Sequence, residues 1–166
     1  LMLGIYYEVI QRWIKREPNR VWAHGSIYAS ERMNPESNAM QAIRIPETIT
    51  YMADYADGLQ LTGLMSGVER GSGRDAYALC GANGTIRLDL ASGKLFKAIN
   101  GESETIVEPA SDKIADWNVE ADFIQSIREK TSVNLTNFED GLNYMRFTDA
   151  VRKSFDSNGA WVELPN

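Results

Sequence analysis

The chain has 166 residues, 43% of them hydrophobic and 24% charged, the balance of an ordinary globular domain and not of a disordered chain. Its 23 acidic residues against 17 basic ones leave a formal charge of −6, which argues against a nucleic-acid footprint. A single cysteine, Cys80, and a single histidine, His24, exclude an internal disulfide framework, a multi-cysteine metal site and any motif that needs two histidines.

This length predicts one domain spanning residues 1–166, large enough to bury roughly 70% of the surface its unfolded chain exposes. No apolar run reaches the roughly 20 residues that a membrane span requires. The first residues carry no signal-peptide pattern, so a cytoplasmic protein is expected. The start, Leu1-Met2-Leu3-Gly4, has no polar lead-in and suggests a chain beginning inside a longer polypeptide.

Ile5, Val9 and Trp13 recur at i, i+4 and i+8, with Ile10 and Ile14 beside them, which predicts a helix over 5–16. Arg12, Lys15 and Arg16 suit the negative end of its dipole, and Pro18 stops it. Residues 20–30 read as a strand, Val21, Ala23, Gly25, Ile27 and Ala29 alternating with Trp22, His24, Ser26 and Tyr28. In that setting His24 is expected to be a satisfied sheet residue, not a ligand or base. Residues 31–46 are polar and proline-bounded and read as a long loop, a kind that often carries function.

From 47 to 108 strands alternate with turn signals. Residues 48–55 and 59–68 flank Ala56-Asp57-Gly58, and 75–80 and 85–90 flank Gly81-Ala82-Asn83-Gly84. Strands over 94–99 and 104–108 follow turns at Ser92-Gly93 and Asn100-Gly101. No helical stretch interrupts them, so antiparallel pairing is expected. Asp116 is the expected cap of a helix running to about Lys130, with Phe123, Ile124 and Ile127 on its buried side. Thr136-Asn137-Phe138-Glu139 fits a capping box opening a helix that carries Tyr144, Phe147, Val151 and Phe155 on one face. Asn158-Gly159 closes that helix, and residues 160–164 alternate as a short last strand.

These elements predict an α+β fold: an open-faced, mainly antiparallel β-sheet with helices packed on one face. The uncovered face is expected to pair with another copy as a dimer or tetramer. Gly71-Ser72-Gly73-Arg74-Asp75-Ala76 superficially matches a dinucleotide fingerprint, but the strand-like Tyr77-Ala78-Leu79-Cys80 follows where a helix is needed. It reads as a turn. Asn83-Gly84-Thr85 and Asn134-Leu135-Thr136 are glycosylation sequons that matter only in a secreted chain, and Cys80 is expected to be a small buried hydrophobe.

Leu3-Gly4-Ile5-Tyr6-Tyr7 followed by Arg12-Trp13, the Ala56-Asp57-Gly58 turn and Gly81-Ala82-Asn83-Gly84-Thr85-Ile86-Arg87-Leu88 together resemble one known family. The tail matches best: Phe138-Glu139-Asp140-Gly141-Leu142-Asn143-Tyr144-Met145-Arg146, closed by Gly159-Ala160-Trp161-Val162-Glu163-Leu164. The whole chain resembles the C-terminal domain of the Gfo/Idh/MocA oxidoreductases, which include glucose–fructose oxidoreductase and inositol dehydrogenase. The resemblance implies the substrate-binding and oligomerisation part of an enzyme that oxidises a sugar or polyol hydroxyl. NAD or NADP would be bound mainly by an N-terminal Rossmann domain not contained here, with no cofactor or metal on this chain alone.

Family members usually have an active-site His, an Asp four residues before it and another three residues after. The matching positions here are Tyr6, Met2 and Val9. Tyrosine at the His position resembles the glucose–fructose oxidoreductase branch, and Tyr6 is the catalytic candidate, a base for the hydroxyl proton. A phenol titrates near pH 10, so a tyrosine in that role needs a nearby cation. The competing reading of Tyr6 is a tyrosine that packs its helix against the sheet. Tyr7 and the loop residues Arg32, Asn38 and Arg44 are candidates to hydrogen-bond a polyhydroxylated substrate, against the plainer reading of a solvated loop. The missing carboxylates at Met2 and Val9 keep two further readings open: a non-catalytic sugar-binding or regulatory module, and a purely self-associating domain.

Overall fold

In the computed structural model, residues 3–71, 75–114, 118–133 and 137–164 are described. Their elements in chain order are α1 (Leu3–Ile14), β1 (Arg20–Ser26), β2 (Glu31–Asn34), β3 (Ala39–Ala42), β4 (Thr48–Asp54) and β5 (Gln60–Ser66). β6 (Ala76–Gly81), β7 (Gly84–Asp89), β8 (Lys94–Ile99), β9 (Thr105–Val107), a 3-10 turn (Ser111–Lys113), α2 (Val119–Glu129), α3 (Phe138–Asp156) and β10 (Val162–Glu163) complete the chain. The strands pair antiparallel, and with three α-helices the fold is α+β. They form two four-stranded sheets and a separate hairpin. The chain divides into two compact units, residues 1–68 with 132–166, and residues 69–131.

The first unit holds the sheet ordered β10-β1-β4-β5, the β2–β3 hairpin, α1 and α3. Strand alternation sends Val21, Ala23, Ile49, Tyr51 and Ala53 to one face, where they meet Leu3 and Tyr7 of α1 and Phe147, Ala150 and Val151 of α3. The opposite face is open, with Leu64 65% exposed and His24 and Thr50 beside it. The Asp57-Gly58 turn forms as expected, Gly58 taking φ +84. Gly63 is needed by packing: a Cβ there would lie 2.1 Å from the Tyr51 ring, which crosses that spot.

α1 differs from the expected stripe. Its core face is Leu3, Tyr7 and Ile10, whereas Ile5 is 59% exposed and Trp13 37% exposed on the other side. The helix is apolar on two faces, and periodicity alone does not say which one meets the sheet. The expected strand over 20–30 ends at Ser26, because the N–H groups of Tyr28 and Ala29 donate to the Glu47 carboxylate and not to a neighbouring strand. The expected loop over 31–46 contains the β2–β3 hairpin. Asn34 shapes its turn by accepting from Glu36 N–H at 2.9 Å, and Asn38 takes the left-handed φ of 47°.

α3 runs as expected, with Phe147 and Val151 buried, but its cap is one residue later than predicted. Asn137 accepts from Glu139 and Asp140 N–H at 2.9 Å, and the Asp140 carboxylate accepts from Asn137 N–H at 3.0 Å. Thr136 lies outside the described residues. Asn158 (φ 56) and Gly159 (φ 82) close the helix in left-handed conformation. β10 is shorter than expected and pairs with β1 only at Arg20↔Glu163 and Val21↔Val162. Beyond its end, the fully buried Ser154 of α3 takes over: its Oγ accepts from Ala23 N–H at 2.8 Å and donates to Ala160 O at 2.6 Å.

The second unit is the meander β6-β7-β8-β9 with α2. A two-residue loop joins the paired Gly81 and Gly84. Gly84 has φ +150, and a Cβ there would meet Ala98 O at 2.2 Å. Arg87 pairs with Glu104 at 2.7 Å and lies over Phe96 at 4.1 Å. Two expectations fail here. Cys80 is exposed, because Tyr77 and Leu79 take the better-covered face of β6 and period 2 sends Cys80 to the other. Phe123, Ile124 and Ile127 are 49%, 48% and 63% exposed, since α2 is rotated to bury Ser126 instead. The expected cap Asp116 lies outside the described residues; Asn118 occupies the cap position. No helix among the described residues is long and apolar enough to cross a membrane.

Candidate functional site

The site is built from α1 outward. Gly4 lets α1 lie close on α3: a Cβ would fall 2.7 Å from the Tyr144 ring, a position no side chain can share. Leu3, Tyr7 and Ile10 fix the rotation of the helix by filling the core, which sets Tyr6 half-buried on its flank. Val9 lies one turn further on, also half-buried, with no carboxylate to orient or charge Tyr6 from that position. Met2 lies outside the described residues.

Tyr7, adjacent in sequence, faces inward. It is fully buried, stacked on Phe147 with ring centroids 3.8 Å apart, and its hydroxyl donates to Glu17 Oε2 at 3.1 Å. Burial, then the neighbouring Tyr55 and Glu17, hold its phenol far above the ordinary tyrosine range. Tyr7 is thus a core residue with a satisfied hydroxyl. Tyr51 meets the same Phe147 edge-on at 5.8 Å, and burial pushes its phenol up to about 12. Tyr55 is raised as well, chiefly by burial.

The three remaining candidates separate along the β2–β3 arm. Arg32 is taken up by an ion pair with Glu47, a carboxylate whose side chain is 7% exposed. Asn38 stands exposed at the tip of the hairpin, with the left-handed turn as its structural duty. Arg44 is exposed and lines a shallow, mainly apolar depression with Gln41, Ala42, Ile43 and Ile45. A second shallow depression lies at the C-terminal end of α1, where Glu8, Gln11, Arg12 and Glu17 face Asp140. Tyr6 lines neither depression, so neither brings it together with Asn38 or Arg44.

His24 is exposed on the open face of the sheet, 6.3 Å from Trp22 between ring centroids. Among the described residues, no group of three or more His, Cys, Asp or Glu is placed to hold a metal ion. Sequence reasoning missed Glu47 and Glu17, the two carboxylates that organise their surroundings. Each follows or precedes a proline at an element boundary, a pattern without its own chemical signature.

No family model and no curated protein matches the chain. Solved structures do. Levoglucosan dehydrogenase in complex with NADH and L-sorbose superposes with a TM-score of 0.78 at 18% identity, over 99% of this chain and 50% of that one. An inositol dehydrogenase homologue from Azotobacter vinelandii, complexed with NADH and myo-inositol, gives 0.78 at 13% identity, over 98% of this chain and 48% of its own. The chain has the Gfo/Idh/MocA C-terminal-domain fold. An aldose–aldose oxidoreductase from Caulobacter crescentus, complexed with glycerol, is also similar, with TM-score 0.73 and 16% identity over 97% of this chain and 46% of that one.

This Gfo/Idh/MocA-fold chain spans about half the length of those proteins. The N-terminus of α3 does not fit a dinucleotide. A pyrophosphate site needs free N–H groups at a helix N-terminus behind a glycine-rich turn. At α3 the Asn137 side chain already takes those N–H groups, and the Asp140 carboxylate beside them would repel a phosphate. The glycine-containing segment at 71–76 leads into strand β6, and its residues 72–74 lie outside the described ones.

Proposed function

We propose that the chain is the substrate-binding and oligomerisation domain of an NAD(P)-dependent oxidoreductase acting on a sugar or polyol hydroxyl. The observation that carries this is the superposition of nearly the whole chain on half of several sugar and polyol oxidoreductases, two of them holding NADH. The dinucleotide belongs to the half outside this chain, consistent with the occupied helix N-terminus of α3. The part of the chemistry that falls to this chain is the substrate proton. Tyr6, on the flank of α1, accepts it from the reacting hydroxyl, helped by a cation from the other half. Asn38 and Arg44, two of the exposed residues of the arm and its foot, contact the remaining hydroxyls. Tyr7 has no part in this, and Arg32 acts only through Glu47.

Val9 and Met2, in place of two carboxylates, favour one alternative: a sugar-binding or regulatory domain on the same fold without turnover. Activity of the protein containing this chain separates the two. Assayed with NAD and NADP against a panel of aldoses, ketoses and inositols, an oxidoreductase shows reduced-cofactor absorbance that Tyr6→Phe abolishes. Sugar binding by calorimetry with no turnover of any panel member supports the non-catalytic reading. The open face of the β10-β1-β4-β5 sheet is the surface through which copies associate, which sedimentation of the protein tests directly.

A further inference from the structure

The β2–β3 arm lacks the support that hairpins usually have. Its strands pair only with each other, all four residues of β3 are exposed, and so are three of the four in β2. An isolated two-stranded hairpin is marginal in water, so something at the root must fix it. That root converges on Glu47. Its own backbone is anchored in the body of the unit, its N–H donating to Ser26 O at 2.9 Å and its carbonyl accepting from Gly67 N–H at 2.8 Å. From that anchor Oε2 accepts from Tyr28 N–H at 2.6 Å and Ala29 N–H at 2.9 Å, which turns the chain out of β1. Oε1 takes the guanidinium of Arg32, inside the arm itself.

We propose that Glu47 and Arg32 are a positioning pair that sets the direction of the β2–β3 arm. A carboxylate this deeply buried is held by donors, and here every donor named belongs to the arm or to the segment leading into it. Arg32 sits opposite Gln41 in the hairpin register, so fixing its side chain fixes one face of both strands. The pair therefore determines where the tip residue Asn38 and the foot residue Arg44 stand. That last step rests on the substrate role proposed for those two residues; the pair itself does not.

Hydrogen exchange by mass spectrometry on the protein containing this chain tests it, comparing wild type with Glu47→Gln, Arg32→Gln and the double variant. In both single variants, exchange over 31–42 accelerates by about tenfold or more, as expected when an ion pair to a buried carboxylate is lost. Exchange over 147–155 of α3 stays at the wild-type rate. The double variant is no faster than Glu47→Gln, because the two changes remove the same contact. Unchanged exchange in the arm of either single variant overturns the proposal. Acceleration of α3 together with the arm also overturns it, by making Glu47 a support of the whole unit. Calorimetry of the same variants with L-sorbose and myo-inositol addresses the function separately: a loosened arm with unchanged sugar affinity removes Asn38 and Arg44 from the substrate site and leaves the pair standing.

Discussion

Replacing Ser154 by Ala removes one oxygen that two backbone groups share and strands the buried one, the Ala23 N–H. Ser154 is fully buried, and its Oγ both accepts from Ala23 N–H and donates to Ala160 O. β10 reaches only Val162 opposite Val21, so no strand among the described residues is placed to satisfy Ala23 on that side. Alanine fills nearly the same volume, and the cost is almost wholly the buried Ala23 N–H left without a partner, because Ala160 is exposed and its carbonyl turns to water. An unsatisfied buried group of this kind costs about 1–3 kcal/mol, a large part of a typical stability of about 5–15. Urea denaturation should show the midpoint falling with the m-value unchanged, and heating should show Tm lower by about 2–12 °C. The Ala23 amide should also lose its protection in hydrogen exchange. A loss below about 1 kcal/mol with Ala23 still protected refutes the claim that Ser154 substitutes for a missing strand.

Raising the pH above 10 should weaken the first unit, because the phenols of Tyr7, Tyr51 and Tyr55 have raised pKa values when folded. Their contribution is complete below the unfolded value of about 10 and declines by roughly 1.4 kcal/mol per pH unit per group up to the folded value. For Tyr51 that window closes at about 12. Tyr51→Phe should flatten the slope of stability against pH between 10 and 11.5; an unaltered slope would contradict the burial of that hydroxyl. Gly84→Ala should cost about 2–3 kcal/mol, since the substituted residue must adopt a strained φ and move off the Ala98 carbonyl. A near-neutral midpoint in urea would count against that turn geometry. Asn137→Ala should cost about 1 kcal/mol through the lost α3 cap, seen as reduced helicity at submaximal urea.

Much of the chain's organisation is written locally. Asp57-Gly58, Asn158-Gly159 and the spacing of Phe147 and Val151 depend on φ preferences and helical period, which neighbours in sequence determine. Tyr6 too is singled out by sequence, through its place in a family-like block at the start of α1. Other features follow from contacts between residues far apart in sequence. Tyr6 and Tyr7 are adjacent, yet helix rotation about the Tyr7–Phe147 stack buries one and leaves the other on the flank. The same rotation turns Ile5 outward although its spacing is that of a core residue.

The arm makes the distinction most clearly. Residues 31–46 have the composition of a loop, and neither short strand offers enough alternation to announce itself. Its structure depends on Glu47, which reaches back to Tyr28, Ala29 and Arg32 beyond the end of β1, and no local propensity encodes that contact. The count of 166 residues with one cysteine, one histidine and a charge of −6 established the kind of chain and excluded an internal disulfide framework, a multi-cysteine metal site and two-histidine motifs. Which apolar face is core, which arginine is free and how the arm stands were decided by tertiary packing, because each is a competition between groups that meet only after folding.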